Sequence, residues 1–141
     1  MARVWQSTTL SVSIQRQPKR VYDFVSNPPN LPRWATTFCR SVRRLRGQWI
    51  IQTPQGPVNI RLARKNAVGV LDHEVRPAAG STVFVPMRVV PNNRGSEVLL
   101  TLFRQTGMSA TRYVQDIDLV KQDLKTLKSV MEAGTSRGRR R

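Results

Sequence analysis
Hydrophobic and polar positions alternate from near the start of the chain. In TTLSVSI (8–14), Leu10, Val12 and Ile14 fall on one side and Thr9, Ser11 and Ser13 on the other, the period-two pattern of a strand with one buried face. The period then lengthens. QPKRVYDFVS (17–26) puts Val21, Phe24 and Val25 on one helical face, and Pro18 suits the first helical position, where an N–H would lack a partner anyway. Asn27-Pro28-Pro29 ends this helix, because the residue before a proline avoids the helical region. NLPRWATTF (30–38) restarts as a second short helical piece that carries Leu31 and Trp34 toward the same side.

From residue 38 the pattern returns to strands. FCRSVRRLR (38–46), QWIIQT (48–53), PVNIRLAR (57–64), VGVLDHEVR (68–76), STVFVPMRVV (81–90) and SEVLLTLFR (96–104) are separated by turn signals such as Pro54-Gln55-Gly56, Lys65-Asn66 and PNNRG. Short strands with tight turns predict an antiparallel meander. Pro86 lies inside one run and predicts an edge or a bulge there. Ser109 then offers a cap to the longest helix, over roughly 109 to 132. There Tyr113, Ile117, Val120, Leu124, Leu127 and Met131 step by four and three along one stripe. Asp116 and Asp118 come early and Lys125 and Lys128 late, as the helix dipole favours. Lys121, Lys125 and Lys128 point away from the stripe and predict a solvated face. No internal repeat is present.

The order is strand, two short helices, about six strands and a long helix, an α+β pattern. With TTLSVSI followed by KRVYDFVSNPPNLPRWA, W-x-x-x-T-P-x-G-P-V at 49–58, GVLDHEV at 69–75 and DLKTLKSVME in the last helix, the chain resembles the SRPBCC or START-like superfamily. That superfamily includes the birch-pollen allergen, polyketide cyclases/dehydratases and lipid-transfer domains, and the chain looks most like its bacterial members. The resemblance covers roughly residues 8 to 132. It implies a helix-grip fold: a curved antiparallel sheet of six to seven strands wrapped around the C-terminal helix, with a cavity between them open at one end. The two short helices after the first strand would follow the curve of that opening, and NPPNLP supplies the break they need. Residues 1–132 are read as one START-like domain and 133–141 as a disordered basic tail.

Inside such a fold the more apolar face of each strand points inward. Alternation assigns Trp49, Ile60 and Leu62 to the cavity side, then Leu71 and His73, then Val85, Met87 and Leu100. Ile117, Val120 and Leu124 face them from the long helix, and Trp34 stands at the mouth. Only His73 on this lining is ionisable. Asp72 and His73 are adjacent in a strand, so their side chains leave opposite faces and form no dyad. As a general base for a cyclisation or dehydration, His73 would need Tyr22, Arg61 or Arg88 to orient a carbonyl, and alternation turns both arginines outward. The simpler reading of His73 is a histidine satisfied by a backbone carbonyl.

Composition narrows the remaining classes. A chain of 141 residues fits one domain, and no apolar run reaches the roughly 18 residues of a membrane span. No secretory signal opens it, and a lone Cys39 excludes an internal disulfide, which together predict a cytoplasmic setting. One histidine and one cysteine are too few for a metal site or a Cys–His pair beyond His73 itself. With no glycine-rich phosphate loop either, no cofactor is expected. The net charge of +16 raises a nucleic-acid or anionic-surface partner. Its distribution disfavours that partner: one cluster at Arg40, Arg43, Arg44 and Arg46, a tail at Arg137, Arg139, Arg140 and Arg141, and the rest scattered without a recognised nucleic-acid motif. The first expectation is therefore a domain that binds or carries a small hydrophobic or amphipathic molecule. A polyketide-cyclase/dehydratase-like enzyme centred on His73 and an arginine-based binder of nucleic acid or anionic surfaces are the alternatives. A homodimer is the default assembly for a domain of this size.

Overall fold
The computed structural model describes residues 3–139, and for 134–139 the backbone alone. From residue 134 onward, the side chains of the expected basic tail lie outside the described residues. Strand β1 (Ser7–Ile14) leads into helix α1 (Pro18–Val25), a 3₁₀ turn (Pro28–Asn30) and helix α2 (Leu31–Trp34). Strands β2 (Ser41–Leu45), β3 (Gln48–Thr53), β4 (Gly56–Leu62), β5 (His73–Pro77), β6 (Val83–Val85), β7 (Met87–Asn92) and β8 (Gly95–Phe103) follow, and helix α3 (Ala110–Arg139) closes the chain.

The break between α1 and α2 is built as its sequence requires. Asn27 is extended ahead of Pro28, and Asn30 bridges the gap by donating from Nδ2 to the Phe24 carbonyl at 2.9 Å. The break turns Leu31 and Trp34 inward, where both are buried with Val21, Tyr22 and Val25 of α1. The Nε1–H of Trp34 is itself buried with no acceptor among the described residues.

All strand pairs are antiparallel, in two sheets of order β1-β8-β7 and β2-β3-β4-β5-β6. The sheets share one continuous chain at Pro86, whose carbonyl accepts from Thr101 N at 3.0 Å while β6 and β7 on either side pair with different neighbours. The run 81–90 is thus two strands rather than one, because proline has no N–H to continue a ladder. The strand expected over 68–76 forms only from His73. Before it, Asp72 accepts from Met87 N at 2.9 Å and from Arg88 Nε and Nη2 at 3.1 and 2.9 Å, so a side chain does the work of the ladder. The Arg88 hydrogen bonds also hold the Asp72 carboxyl below the usual carboxylate range.

Register aligns the apolar rows. Leu10 lies opposite Leu100 and Leu100 opposite Met87, with Val12, Val98 and Val89 in the next row. Helix α3 packs its stripe on this smaller sheet and on α2, burying Tyr113, Leu124 and Leu127. Each such side chain contributes about 1.5–3 kcal/mol when fully buried. Ser109 does cap α3, its Oγ accepting from Arg112 N at 3.0 Å. Lys121 and Lys125 are exposed as predicted, but Lys128 is not simply solvated. Its Nζ donates to the Ser13 carbonyl at 2.7 Å and to Glu132 Oε2 at 2.9 Å, fastening α3 to β1.

Candidate functional site
The larger sheet is covered less completely than the smaller one. Across its inner face run Trp49, Ile60, Val75 and Val83 in one row and Leu62, His73 and Val85 in the next. Ile60 and Val85 are closed off, whereas Trp49, Leu62, His73, Val75 and Val83 keep part of their surface open. A groove of about 560 Å³ lies here, between the end of α1 and strands β3, β4 and β5. Trp49, Ile60 and Leu62 form its apolar part, and Ser26, Asn27, Pro28 and Lys65 form the rim on the α1 side.

Of the positions predicted to face the cavity, Trp49, Ile60 and Leu62 therefore meet at the groove. Leu71, Met87, Leu100 and Leu124 are buried core side chains, as are Trp34 and Val85. Ile117 and Val120, in the upper half of the α3 stripe, are half-buried and pack against that core. The rim residues were not legible as a site. Lys65-Asn66 reads only as a turn, and nothing in its local pattern says that the fold brings it beside Ser26.

Positive charge surrounds the groove. Lys65 stands at the rim, and Arg61, Arg76 and the single acid Glu74 also border the groove, although the register sets these three on the sheet face opposite Ile60 and Leu62, as alternation predicts for Arg61. Arg44, in the cluster on β2, is exposed but turns to the inner face and places its guanidinium 5.3 Å from the centre of the Trp49 ring. The ion pairs among the described residues are Lys19–Asp23, Asp72–Arg88, Arg112–Asp116 and Lys128–Glu132, none of which involves a groove cation.

His73 lies at the end of β5, its Nδ1 3.0 Å from the Leu71 carbonyl. That contact fixes the proton on Nδ1 when the ring is neutral and leaves Nε2 as the lone-pair nitrogen. Burial lowers the His73 pKa, outweighing the opposite pull of the Leu71 carbonyl and the Asp72 charge. The folded protein thus takes up this proton at lower pH than the unfolded chain. Below the usual 6.5 the unfolded chain binds more protons, so stability should fall as pH drops from neutrality through that window. His73→Gln is expected to flatten this part of the melting-temperature profile between about pH 7 and 5. Equal losses in the two proteins would contradict it. Asp72, Glu97 and Glu132 have lowered pKa values and titrate below the window, while burial raises Asp123 in both proteins alike.

Two further groups have structural partners. Cys39 is buried, its thiol pushed up to about 11 by desolvation, so it is protonated and a poor nucleophile at neutral pH. Asp123 is buried on α3 and accepts from Thr37 N and Oγ1 at 3.0 and 2.7 Å, pinning the α2–β2 connection to the helix. Its sequence signal was available: it falls beside Val120, Leu124 and Leu127 on the apolar stripe, where a carboxylate needs a partner. Among the described residues no group of three or more His, Cys, Asp or Glu side chains is placed to hold a metal ion, and no helix is long and apolar enough to cross a membrane.

No protein-family model and no curated protein sequence matches the chain. Solved structures do. The Aha1 dimer from Colwellia psychrerythraea superposes with a TM-score of 0.73 at 10% identity, covering 92% of this chain and 98% of that one. The allergen Ara h 8.0201 gives 0.67 at 13% identity, covering 91% and 98%. DynU16, from the dynemicin biosynthetic locus, gives 0.70 at 12% identity, where 91% of this chain covers 48% of that one. At such identities the likeness is one of fold. The elements, their order and these neighbours agree: the chain has the helix-grip fold of the SRPBCC, START-like type.

Proposed function
We propose that this chain binds a small apolar or amphipathic molecule in the groove between α1 and the inner face of β3–β5. The observation that carries the reading is the half-open inner face itself. Apolar side chains in two adjacent rows that a filled core would bury completely, Trp49, Val75 and Val83 in one and Leu62 in the other, stay partly accessible beside a groove of about 560 Å³. That volume is in the range of small-molecule sites, and the lining sets the apolar Trp49, Ile60 and Leu62 beside a larger set of polar and charged groups, a composition that suits an amphipathic molecule. The groove lies beside α1 and has no α3 residue in its lining, so it is not the cavity between sheet and C-terminal helix that the family resemblance implies; among the structures of this fold, DynU16 is a protein of the dynemicin biosynthetic locus.

The test is mass spectrometry of the purified protein, first native and then denatured. The expected outcome is a small apolar or amphipathic compound that is retained in the native spectrum and released on unfolding. A protein that carries nothing and also fails to bind a neutral apolar dye such as Nile red would overturn the reading.

An enzymatic reading has one supporting observation. His73 is held neutral with Nε2 as its lone-pair nitrogen, as a general base requires. Asp72 does not assist it as an orienting acid, since that carboxylate is committed to Met87 and Arg88.

A further inference from the structure
We propose that Lys65 is a head-group anchor and that the groove's ligand is an amphipathic carboxylate, an inference that rests on the binding function above and names its chemical class. Lys65 sits on a loop that is built rather than slack. Tyr22 Oη accepts from Asn66 N at 3.0 Å, tying the loop to α1. The Asn66 side chain then holds the loop from within: Oδ1 accepts from Val68 N and Val70 N at 3.1 and 3.0 Å, and Nδ2 donates to the Arg64 and Val70 carbonyls at 2.9 and 3.0 Å. The lysine next to this knot extends along the Tyr22 ring, with Nζ 5.7 Å from its centre, and donates to Ser26 Oγ at 2.9 Å.

An ammonium has three donors, and Ser26 takes one of them. Lys65 forms no ion pair among the described residues, although it lines the groove at the edge where the apolar wall of Trp49, Ile60 and Leu62 begins. Arg61 and Arg76 border the groove from the opposite face of the sheet and add positive charge at longer range, with Glu74 alone opposing it. A molecule with its apolar body on that wall brings its polar end to Lys65, and an anion is the end that the field selects.

The charge is expected to be single. Helix α1 ends at Val25, with Ser26 as its C-terminal cap, so the carbonyl end of the helix faces this corner and opposes a concentrated double charge. A lone lysine with a hydroxyl beside it also lacks the guanidinium fork or ring of backbone N–H groups that binds a phosphate dianion. A carboxylate fits these limits.

The experiment is displacement of Nile red, a neutral apolar probe, by dodecanoate, dodecan-1-ol and dodecyl phosphate at low salt. Dodecanoate should displace the dye at about tenfold lower concentration than the alcohol. Lys65→Met should abolish that preference and Lys65→Arg should retain it; the preference is read within each variant as the ratio of acid to alcohol displacement, so a change in its dye affinity or melting temperature cancels. Equal displacement by acid and alcohol, or a preference that survives in Lys65→Met, overturns the inference while leaving the binding function standing. Tighter binding of dodecyl phosphate than of dodecanoate overturns the assignment to a monoanion. Failure of the parent protein to bind Nile red or dodecanoate at all overturns both readings.

Discussion

Gly69→Ala should destabilise the protein by about 3–5 kcal/mol, among the largest effects expected of any single substitution here. Gly69 adopts φ +77, which alone costs an L-residue about 1–2 kcal/mol. A methyl group there also has no space, since its carbon would stand 2.0 Å from the Val89 carbonyl oxygen. Relief requires moving one backbone segment away from the other, and both are tied. Val89 N donates to the Gly69 carbonyl at 2.9 Å, and Leu71 N donates to the Met87 carbonyl at 2.8 Å. Separating them gives up these buried bonds, each with a penalty of about 1–3 kcal/mol when a partner is left unsatisfied. Gly47 is the internal control. It has φ +78 with nothing within 4 Å of an added carbon, so Gly47→Ala should show the conformational cost alone. Urea unfolding of the two variants separates the effects. If they lose the same amount, close approach at Val89 is not what makes Gly69 necessary.

The same region shows where sequence reading ends. Alternation in TTLSVSI and the stripe from Tyr113 to Met131 are local periodicities, and each became the element and buried face that it implied. The prolines of NPPNLP act through their own covalent geometry, so the paired short helices were equally legible. VGVLDHEVR looked like one strand because its apolar residues alternate, yet only its second half pairs with β4 and β6. What displaces the first half is a glycine at positive φ, together with an aspartate that bonds to the backbone and side chain of another strand. Neither leaves a periodic trace. Pro86 was visible as an interruption, but an edge, a bulge and a joint between two sheets share that signature.

The site divides along the same line. Trp49, Ile60 and Leu62 were legible because strand alternation decides which way they face, and the sheet converts that parity into one wall. Lys65, Ser26 and Asn27 were not, because loop residues acquire their neighbours only from the tertiary fold. Alternation also cannot tell a core position from a cavity position, since both point inward. Leu71, Met87 and Leu100 are covered by packing, whereas Leu62 is left half open: β7 and β8 pack against α1 and β1 against α3, but no helix packs closely on β4.

Leu62→Glu should weaken Nile red binding by at least about 100-fold, a loss of about 2.7 kcal/mol, while the protein stays folded. Leu62 stands in the row with His73 and Val85 and lines the groove. Being half-buried, it leaves a route for a carboxylate to reach water in the empty protein, which limits the stability loss to about 1–3 kcal/mol. A bound apolar molecule closes that route. It must then either desolvate the charge or give up its own contact with the wall, and burying an unpaired carboxylate costs several kcal/mol even after relaxation. Were the new carboxylate to pair with Lys65 across the rim, the groove would be blocked rather than opened, and the direction of the effect would stand. Val90→Glu makes the same change of charge at an exposed position on β7 away from the groove, and should leave dye affinity unaltered. Binding of the dye to Leu62→Glu as to the parent would remove the groove from consideration as the binding site, because no apolar ligand seated on Trp49 and Ile60 can avoid their neighbour at position 62.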